Sequence, residues 1–307
     1  MVTMTSLTYE PLTDGLYFGE SPRYRDGQLY ISDMTGRTIY TIDVSTGKKQ
    51  VLLEVENQPN GMCFHPDGSL VYSSMFDAKL YKLKEGKSTL YADLSHVMTG
   101  YCGDMVIDRA GRVYIDDTGA RVLHGESPRA GRLLVVDTDG TVRVAAEDII
   151  FPNAVFISND GKNLFVAETF RYGLLRYDLG GDGQLTNRQN FWSPTSLPDL
   201  KVKKEDMAAN MIGIDGGCMD AEGGIWLSLL AYGHFVRLDG EGNITHKIKV
   251  DGHPTACTLG GDDGKTLYLV INYVPPKEKL FDAMIGKRTT CNVATARVEV
   301  GRGDALP

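Results

Sequence analysis

The sequence predicts an all-β fold, a six-bladed β-propeller, and two observations support this prediction. The first is the glycine content. Of the 307 residues, 35 are glycine, about 11% against a usual ~7%, which indicates many tight turns between short strands. The second is a hairpin pattern that occurs six times: an oxygen-bearing residue, an alternating strand, a glycine turn and a second apolar strand. Repeated short strands without helical periodicity are typical of propeller blades.

The six hairpins follow one another along the whole chain. They read GESPRYRDGQLYISDM (19–34), NGMCFHPDGSLVYSSM (60–75), GDMVIDRAGRVYIDD (103–117), NAVFISNDGKNLFVAE (153–168), DGGCMDAEGGIWLSL (215–229) and TACTLGGDDGKTLYLV (255–270). Their turn glycines, from Gly27 to Gly264, lie 41 to 62 residues apart, and a third alternating segment follows each hairpin, the last at 296–303. We therefore predict one domain over residues 1–307, in which residues 1–16 supply a closing strand to the last blade.

Two of the intervals are longer than the basic repeat, because they contain insertions at 118–132 and 192–211. Insertions in repeat proteins tend to lie in loops on a functional face. The second insertion brings Trp192 and Met211 close in sequence to Asp215. We predict that residues 192–211 form a lid over the mouth of the channel; an ordinary surface loop is the alternative.

Composition limits the partners and the compartment. The net charge of −8 argues against nucleic acid and anionic membranes as partners. No run of eighteen apolar residues and no secretory signal is visible. The five cysteines are odd in number and show no CxxC spacing, which favours reduced thiols in a cytoplasmic protein. We expect a monomer or a homodimer that acts on a small molecule.

Oxygen-bearing side chains begin the inner strands of five predicted blades. Each lies seven or eight residues before its turn glycine, and the set consists of Glu20, Asn60, Asp104, Asn153 and Asp215. Equal register in a propeller means equal height on the axis, so these groups are expected to converge. Converging carboxylates repel each other unless a cation neutralises them, and oxygen ligands favour a hard cation, Ca²⁺ first, then Mg²⁺ or Mn²⁺. The alternative is that these residues cap turns.

Three of these segments carry a family resemblance. GESPRY (19–24), FPNAVFISNDGKNLFVAET (151–169) and IDGGCMDAEGGIWLSL (214–229) resemble motifs of the SMP-30/gluconolactonase/LRE-like proteins, in the same order along the chain. The resemblance implies a six-bladed propeller with an axial metal site, one divalent cation held by Glu20, Asn153 and Asp215. The family's fourth ligand is commonly the Asn of an Asn-Asp pair in the third blade. This chain has Gly103-Asp104 there, which makes Asp104 the candidate for the fourth ligand.

The same segment bears on the substrate. Sugar lactonases of the family have an arginine two residues before that Asn, where this chain has Tyr101 beside Cys102. Losing a guanidinium and a carboxamide favours a more apolar lactone or ester over an aldonolactone. The predicted substrate-binding residues, at the ring, in this segment and in the insertions, are Asn60, Tyr101, Cys102, His124 and Met211.

The resemblance implies hydrolysis of a lactone or carboxylic ester. A divalent cation can polarise the carbonyl, and a carboxylate beside it can take a proton from water. Ca²⁺ is the first candidate, with Mg²⁺, Mn²⁺ or Zn²⁺ as alternatives. The resemblance gives that base role to Asp215, with Asp104 as the alternative. Two other functions stay open: different chemistry on this scaffold, such as phosphotriester hydrolysis or a non-hydrolytic biosynthetic step, and ligand binding by a propeller with a structural metal.

Overall fold

A computed structural model describes residues 4–193 and 213–307, and in this part of the chain the predicted six-bladed β-propeller is confirmed. Six antiparallel sheets of four strands each surround one axis, and one sheet carries an additional parallel strand. The first strand of each blade is innermost, and each innermost strand packs against that of the next blade around a closed ring.

The first three blades follow the chain without interruption. The first blade consists of β3 (Gly19–Arg25), β4 (Gln28–Asp33), β5 (Thr38–Asp43) and β6 (Lys49–Glu54). The second consists of β7 (Pro59–Phe64), β8 (Leu70–Ser74), β9 (Lys79–Lys84) and β10 (Lys87–Asp93). The third consists of β11 (Cys102–Ile107), β12 (Val113–Asp117), β13 (Ala130–Val136) and β14 (Val142–Ile150).

The other three blades complete the ring. The fourth consists of β15 (Pro152–Ile157), β16 (Asn163–Glu168), β17 (Gly173–Leu179) and β18 (Leu185–Trp192). The fifth consists of β19 (Ile214–Met219), β20 (Ile225–Leu229), β21 (His234–Leu238) and β22 (Ile244–Lys249). The sixth has β23 (His253–Gly260), β24 (Thr266–Tyr273) and β25 (Thr290–Arg297) from the carboxyl-terminal part of the chain.

The amino-terminal segment closes the ring, as predicted. Strand β2 (Glu10–Leu16) is the outer strand of the sixth blade and pairs antiparallel with β25. The short β1 (Thr5–Ser6) adds a parallel edge to β22 of the fifth blade. The predicted third segment of the sixth blade, 296–303, is wrong. The third strand is β25 (Thr290–Arg297), because the weaker Val-Ala-Thr-Ala alternation pairs with β24 and the pairing ends at Arg297, before the Val-Glu-Val run.

Apolar side chains between neighbouring sheets hold the blades together. Among the described residues, six of the seven clusters of buried apolar side chains lie between consecutive blades. The seventh lies at one end of the axis, where loops of several blades converge. This packing makes the inner strands a rigid support for side chains that face the axis.

The segments between strands add little regular structure. A short helix, α1 (Leu280–Ile285), lies between β24 and β25, and one-turn 3₁₀ segments occupy Val122–His124 and Leu230–Tyr232. All five cysteines are free and buried. No helix among the described residues is long and apolar enough to cross a membrane.

The predicted lid at 192–211 lies almost entirely outside the described residues, and Met211 with it. Trp192 is described as the last residue of β18. Its side chain is buried in the apolar cluster between the fourth and fifth blades. The prediction that Trp192 helps to cover the channel mouth is therefore wrong, because the tryptophan completes the core between these blades.

Candidate active site

A cavity opens at one end of the propeller axis. Its polar floor consists of side chains from the starts of four inner strands, namely Glu20, Asn60, Asn153 and Asp215. Its apolar wall consists of side chains from the connecting segments, including Phe18, Met34, Met75, Val122, Leu123, Phe151, Leu230, Leu280, Phe281 and Met284. The cavity therefore combines a few oxygen donors with a largely apolar surface, which is typical of small-molecule sites.

A β-bulge lies at or directly after the floor position in each blade. The pairing with the second strand shifts directly after Glu20 in the first blade, and it shifts between Ile214 and Gly217, on either side of Asp215, in the fifth. Ser21 and Ala154, which follow Glu20 and Asn153, both have a φ of +47°. Bulges bend a strand and re-aim side chains, and they occur often beside active sites. The repeated bulge therefore explains why the floor residues converge.

Strand pairing changes one part of the sequence-based register. Pro59 pairs with Ser74 and Ile214 with Leu229, and the next residue on each strand is the floor residue, Asn60 or Asp215. In the third blade Cys102 pairs with Asp117 in the same way, and the next residue is Gly103. The residue that occupies the floor position of the third blade is therefore Gly103. Asp104 lies one residue further along the strand, because counting back from a turn glycine does not account for the position of the bulge.

The carboxylates of the floor are buried and close enough to interact. Glu20 is 8% exposed and Asp215 is 4% exposed. Burial raises the pKa of Glu20 well above its usual value, and the charges of Asp215 and Asp104 raise it further. Burial, followed by the charge of Asp104, raises the pKa of Asp215 to about 8. Such buried, mutually repelling carboxylates are common at functional sites.

Asn153 links the carboxylate of Asp215 to the backbone. Its Nδ2 donates to Oδ1 of Asp215 at 2.5 Å, and its Oδ1 accepts the N–H of Ala154 at 2.9 Å. The hydrogen bond from Asn153 favours the charged form of Asp215 and so opposes the effect of burial on its pKa. Asn153 therefore holds the Asp215 side chain in one orientation.

Asp104 faces away from the cavity towards Arg23. The Arg23 Nη2 donates to Oδ1 of Asp104 at 2.8 Å, and both side chains are largely buried. Ser21 Oγ and the N–H of Val155 donate to the two oxygens of Asp104 as well, at 3.2 Å each. Asp104 does not line the cavity, whereas Arg23 lines a separate pocket at the other end of the inner strands. The roles of Asp104 in metal binding and as a base stay predictions.

The third blade supplies part of the cavity wall through Tyr101. The Tyr101 hydroxyl and His124 Nδ1 form a hydrogen bond of 2.5 Å, and burial raises the pKa of this tyrosine to about 12. His124 itself does not line the cavity. Cys102 lies behind the wall, where its Sγ donates to the carbonyl of Ser74 at 3.3 Å and burial raises the pKa of the thiol. This environment fits packing and not a nucleophile.

Sequence reasoning missed two contributors to the cavity. Asp116, on the second strand of the third blade, lines the cavity and is 1% exposed. The sequence signal for Asp116 was its position as a charged residue directly after the apolar Val-Tyr-Ile run of β12. Helix α1 contributes Leu280, Phe281 and Met284 to the wall, and their i, i+1 and i+4 spacing was a weak helical signal.

The donors of the floor suit a hard divalent cation. Two buried carboxylates and a carboxamide face the same end of the cavity, and no lysine, arginine or histidine lies among the described lining residues. Within residues 4–193 and 213–307, no three His, Cys, Asp or Glu side chains form a metal-binding group by themselves. A cation bound to Glu20 and Asp215 would therefore need the amide oxygen of Asn153 as well, and oxygen-only ligands of this kind favour Ca²⁺ or Mg²⁺.

Comparison with known proteins agrees with the fold. The SMP-30/gluconolactonase/LRE-like region matches residues 18–272. The chain is 26% identical over 276 residues to regucalcin from Gallus gallus, covering 87% of each chain. It is 25% identical over 255 residues to a pentonolactonase from Haloferax volcanii, covering 82% of this chain and 80% of that protein. The crystal structure of a calcium-binding regucalcin from Agrobacterium tumefaciens matches 99% of both chains with a TM-score of 0.76 at 21% identity.

Proposed function

The chain belongs to the SMP-30/gluconolactonase/LRE-like family, and from this premise we propose that it hydrolyses a lactone or a carboxylic ester. The observation that carries the proposal is the convergence of Glu20, Asn153 and Asp215 at the floor of an apolar cavity. The relative from Haloferax volcanii, a pentonolactonase, supports the lactone class.

The floor would hold one divalent cation through Glu20, Asn153 and Asp215. Ca²⁺ is the first candidate, supported by the calcium-binding regucalcin of the same fold, and Mg²⁺, Mn²⁺ and Zn²⁺ are the alternatives. When bound, such a cation polarises the substrate carbonyl and offsets negative charge that develops on its oxygen.

Asp215 is the proposed general base. Its carboxylate takes a proton from the attacking water, the water oxygen bonds to the carbonyl carbon, the ring C–O bond breaks and the released alkoxide receives the proton. Asn153 positions Asp215 through the 2.5 Å hydrogen bond to Oδ1. Asp104 is the alternative base, but its oxygens already accept hydrogen bonds from Arg23, Ser21 and Val155.

The wall of the cavity favours an apolar substituent on the substrate. The apolar lining includes Phe18, Met75, Phe151 and Phe281. Tyr101, at the position where sugar lactonases of the family have an arginine, lines the cavity as well. Apolar surface in a cavity gains free energy by covering apolar groups of a ligand. We therefore propose preference for alkyl- or aryl-substituted lactones over gluconolactone.

The test is a pH-stat assay of lactones and esters, run with purified protein before and after chelator, with Ca²⁺, Mg²⁺, Mn²⁺ and Zn²⁺ added back singly. We expect hydrolysis that the chelator abolishes and one cation restores. Elemental analysis of protein purified without chelator should show one divalent ion per chain. Hydrolysis that persists without metal would contradict the cation, and no hydrolysis of any lactone or ester would contradict the proposed function.

A further inference from the structure

Asp116 is a third carboxylate of the cavity, and no part of the proposed hydrolysis needs it. It lies on β12, is 1% exposed and lines the cavity with Tyr101 and Thr118 of the same blade. A buried carboxylate is costly to maintain without a partner, so its presence requires a physical reason.

The third blade inverts the arrangement that the second and fifth blades use at the floor. In those blades Asn60 and Asp215 lie in the bulge of the inner strand, opposite the small Ser73 and Ser228 on the second strand. In the third blade the small Gly103 is on the inner strand, and the long Asp116 is opposite on the second strand. The oxygen-bearing side chain therefore reaches the cavity from the neighbouring strand.

Gly103 makes this inversion possible. A Cβ atom at position 103 would lie 2.5 Å from Oδ1 and 2.8 Å from Oδ2 of Asp116, far inside van der Waals contact. The N–H of Gly103 donates to Oδ1 at 2.7 Å, and the N–H of Asp104 donates to Oδ2 at 2.8 Å. The Asp116 carboxylate thus occupies the space where a side chain at 103 would begin, and it is set back from the floor.

This set-back position gives Asp116 a different role from that of Glu20 and Asp215. Among the described residues these carboxylates do not form a metal-binding group with Asp116. No cationic side chain in the described wall faces Asp116 across the cavity. Each carboxylate oxygen can accept more than the one backbone N–H it already has, so Asp116 retains acceptor capacity beside the ligand space.

We propose that Asp116 accepts a hydrogen bond from a hydroxyl group of the substrate, so that the site selects lactones with one hydroxyl beside an apolar substituent. This inference rests on the proposed lactone hydrolysis. A buried carboxyl group that is placed to accept a hydrogen bond discriminates against a substrate that lacks the donor. The hydroxylated lactone should therefore show a kcat/KM about tenfold to a hundredfold higher than its counterpart without the hydroxyl.

The experiment compares γ-nonalactone with γ-nonalactones that carry a hydroxyl on the α or β carbon. The wild type should prefer one hydroxylated form. Asp116→Asn, which keeps the shape of the side chain, should remove the preference mainly through KM. Gly103→Ala should have the same effect, because the added Cβ displaces the carboxylate.

Asp33→Asn is the matched control. Asp33 is also 1% exposed and also accepts two successive backbone N–H groups, from Tyr17 and Phe18, but it does not line the cavity. Its variant should keep the wild-type preference. A preference that survives in Asp116→Asn, or a wild type that hydrolyses all three lactones equally, overturns the role of Asp116 alone. A wild type that hydrolyses no lactone overturns the proposed function and this inference together.

Discussion

The polar floor and the apolar wall of the cavity are built from different parts of the fold. The floor comes from the repeat itself: one position per inner strand, with a bulge at or directly after it. The wall comes from segments between strands, including helix α1 and the 3₁₀ turn at Val122–His124. These segments are not part of the structure that is repeated in every blade. The comparison teaches that the repeat determines where reactive groups meet, while the irregular segments determine what else the cavity accepts.

The largest effect is expected on the floor. Asp215→Asn retains an oxygen ligand but removes the proposed base, so turnover should fall about 10²–10⁴-fold, the usual contribution of general-base catalysis. The assay is lactone hydrolysis at saturating substrate, with bound metal measured in parallel. A near wild-type rate would assign the base role to Asp104, and a rate loss with loss of metal would mean that the side chain acts chiefly as a ligand.

The floor should also control the pH dependence of stability when the cation is removed. The pKa of Asp215 is raised to about 8, so between pH ~4 and ~8 the folded protein holds a proton that the unfolded chain releases. Wild-type stability in chelator should therefore fall as the pH rises through this window.

The neutral Asp215→Asn variant isolates this contribution. In chelator, the free energy of unfolding of this variant should equal that of the wild type near pH 4. Near pH 8 it should exceed the wild-type value by on the order of a few kcal/mol. Thermal unfolding across this range, with and without Ca²⁺, is the measurement. A difference that does not change with pH would contradict the repulsion inferred at the floor.

The wall should affect binding and leave the floor intact. Phe281→Ala removes apolar contact area, and burying a side chain of this size contributes about 1.5–3 kcal/mol. KM for an alkyl-substituted lactone should therefore rise about tenfold or more, while metal affinity stays constant. Ile285→Ala is the control on the same helix, because Ile285 is exposed. Equal effects of both variants would show that α1 acts through stability alone.

The smallest effect is expected at the hydrogen bond between Tyr101 and His124. Tyr101→Phe leaves the Nδ1 atom of His124 without its partner, at a cost of about 0.5–1.5 kcal/mol. The melting temperature should fall by about 1–3 °C. Thermal unfolding of this variant, compared with His124→Ala and the double variant, measures the coupling. Additive effects would show that the two side chains do not stabilise each other.

The sequence predicted the six blades, the closing amino-terminal strand and the convergence of Glu20, Asn153 and Asp215, because glycine turns and alternating strands repeat. It misplaced the register of the third blade, since the bulge before Met105 changes which residue faces the axis. Asp116 could not be predicted by counting, because its position depends on the absence of a side chain at 103. Helix α1 was missed because it is six residues long.

Closure of the ring has a consequence for how the protein acquires its site during synthesis. Glu10 pairs with Thr295, so the last blade is assembled from the two ends of the chain. Such a contact of very high sequence separation forms slowly and cannot form on a nascent chain while β25 is still in the ribosome. Glu20 lies on β3, the strand after the closing strand, and the N–H of Gly19 donates to the side chain of Asn272 in the last blade. A ribosome-bound chain can therefore fold its middle blades early, but it gains a complete cavity only after β25 has emerged.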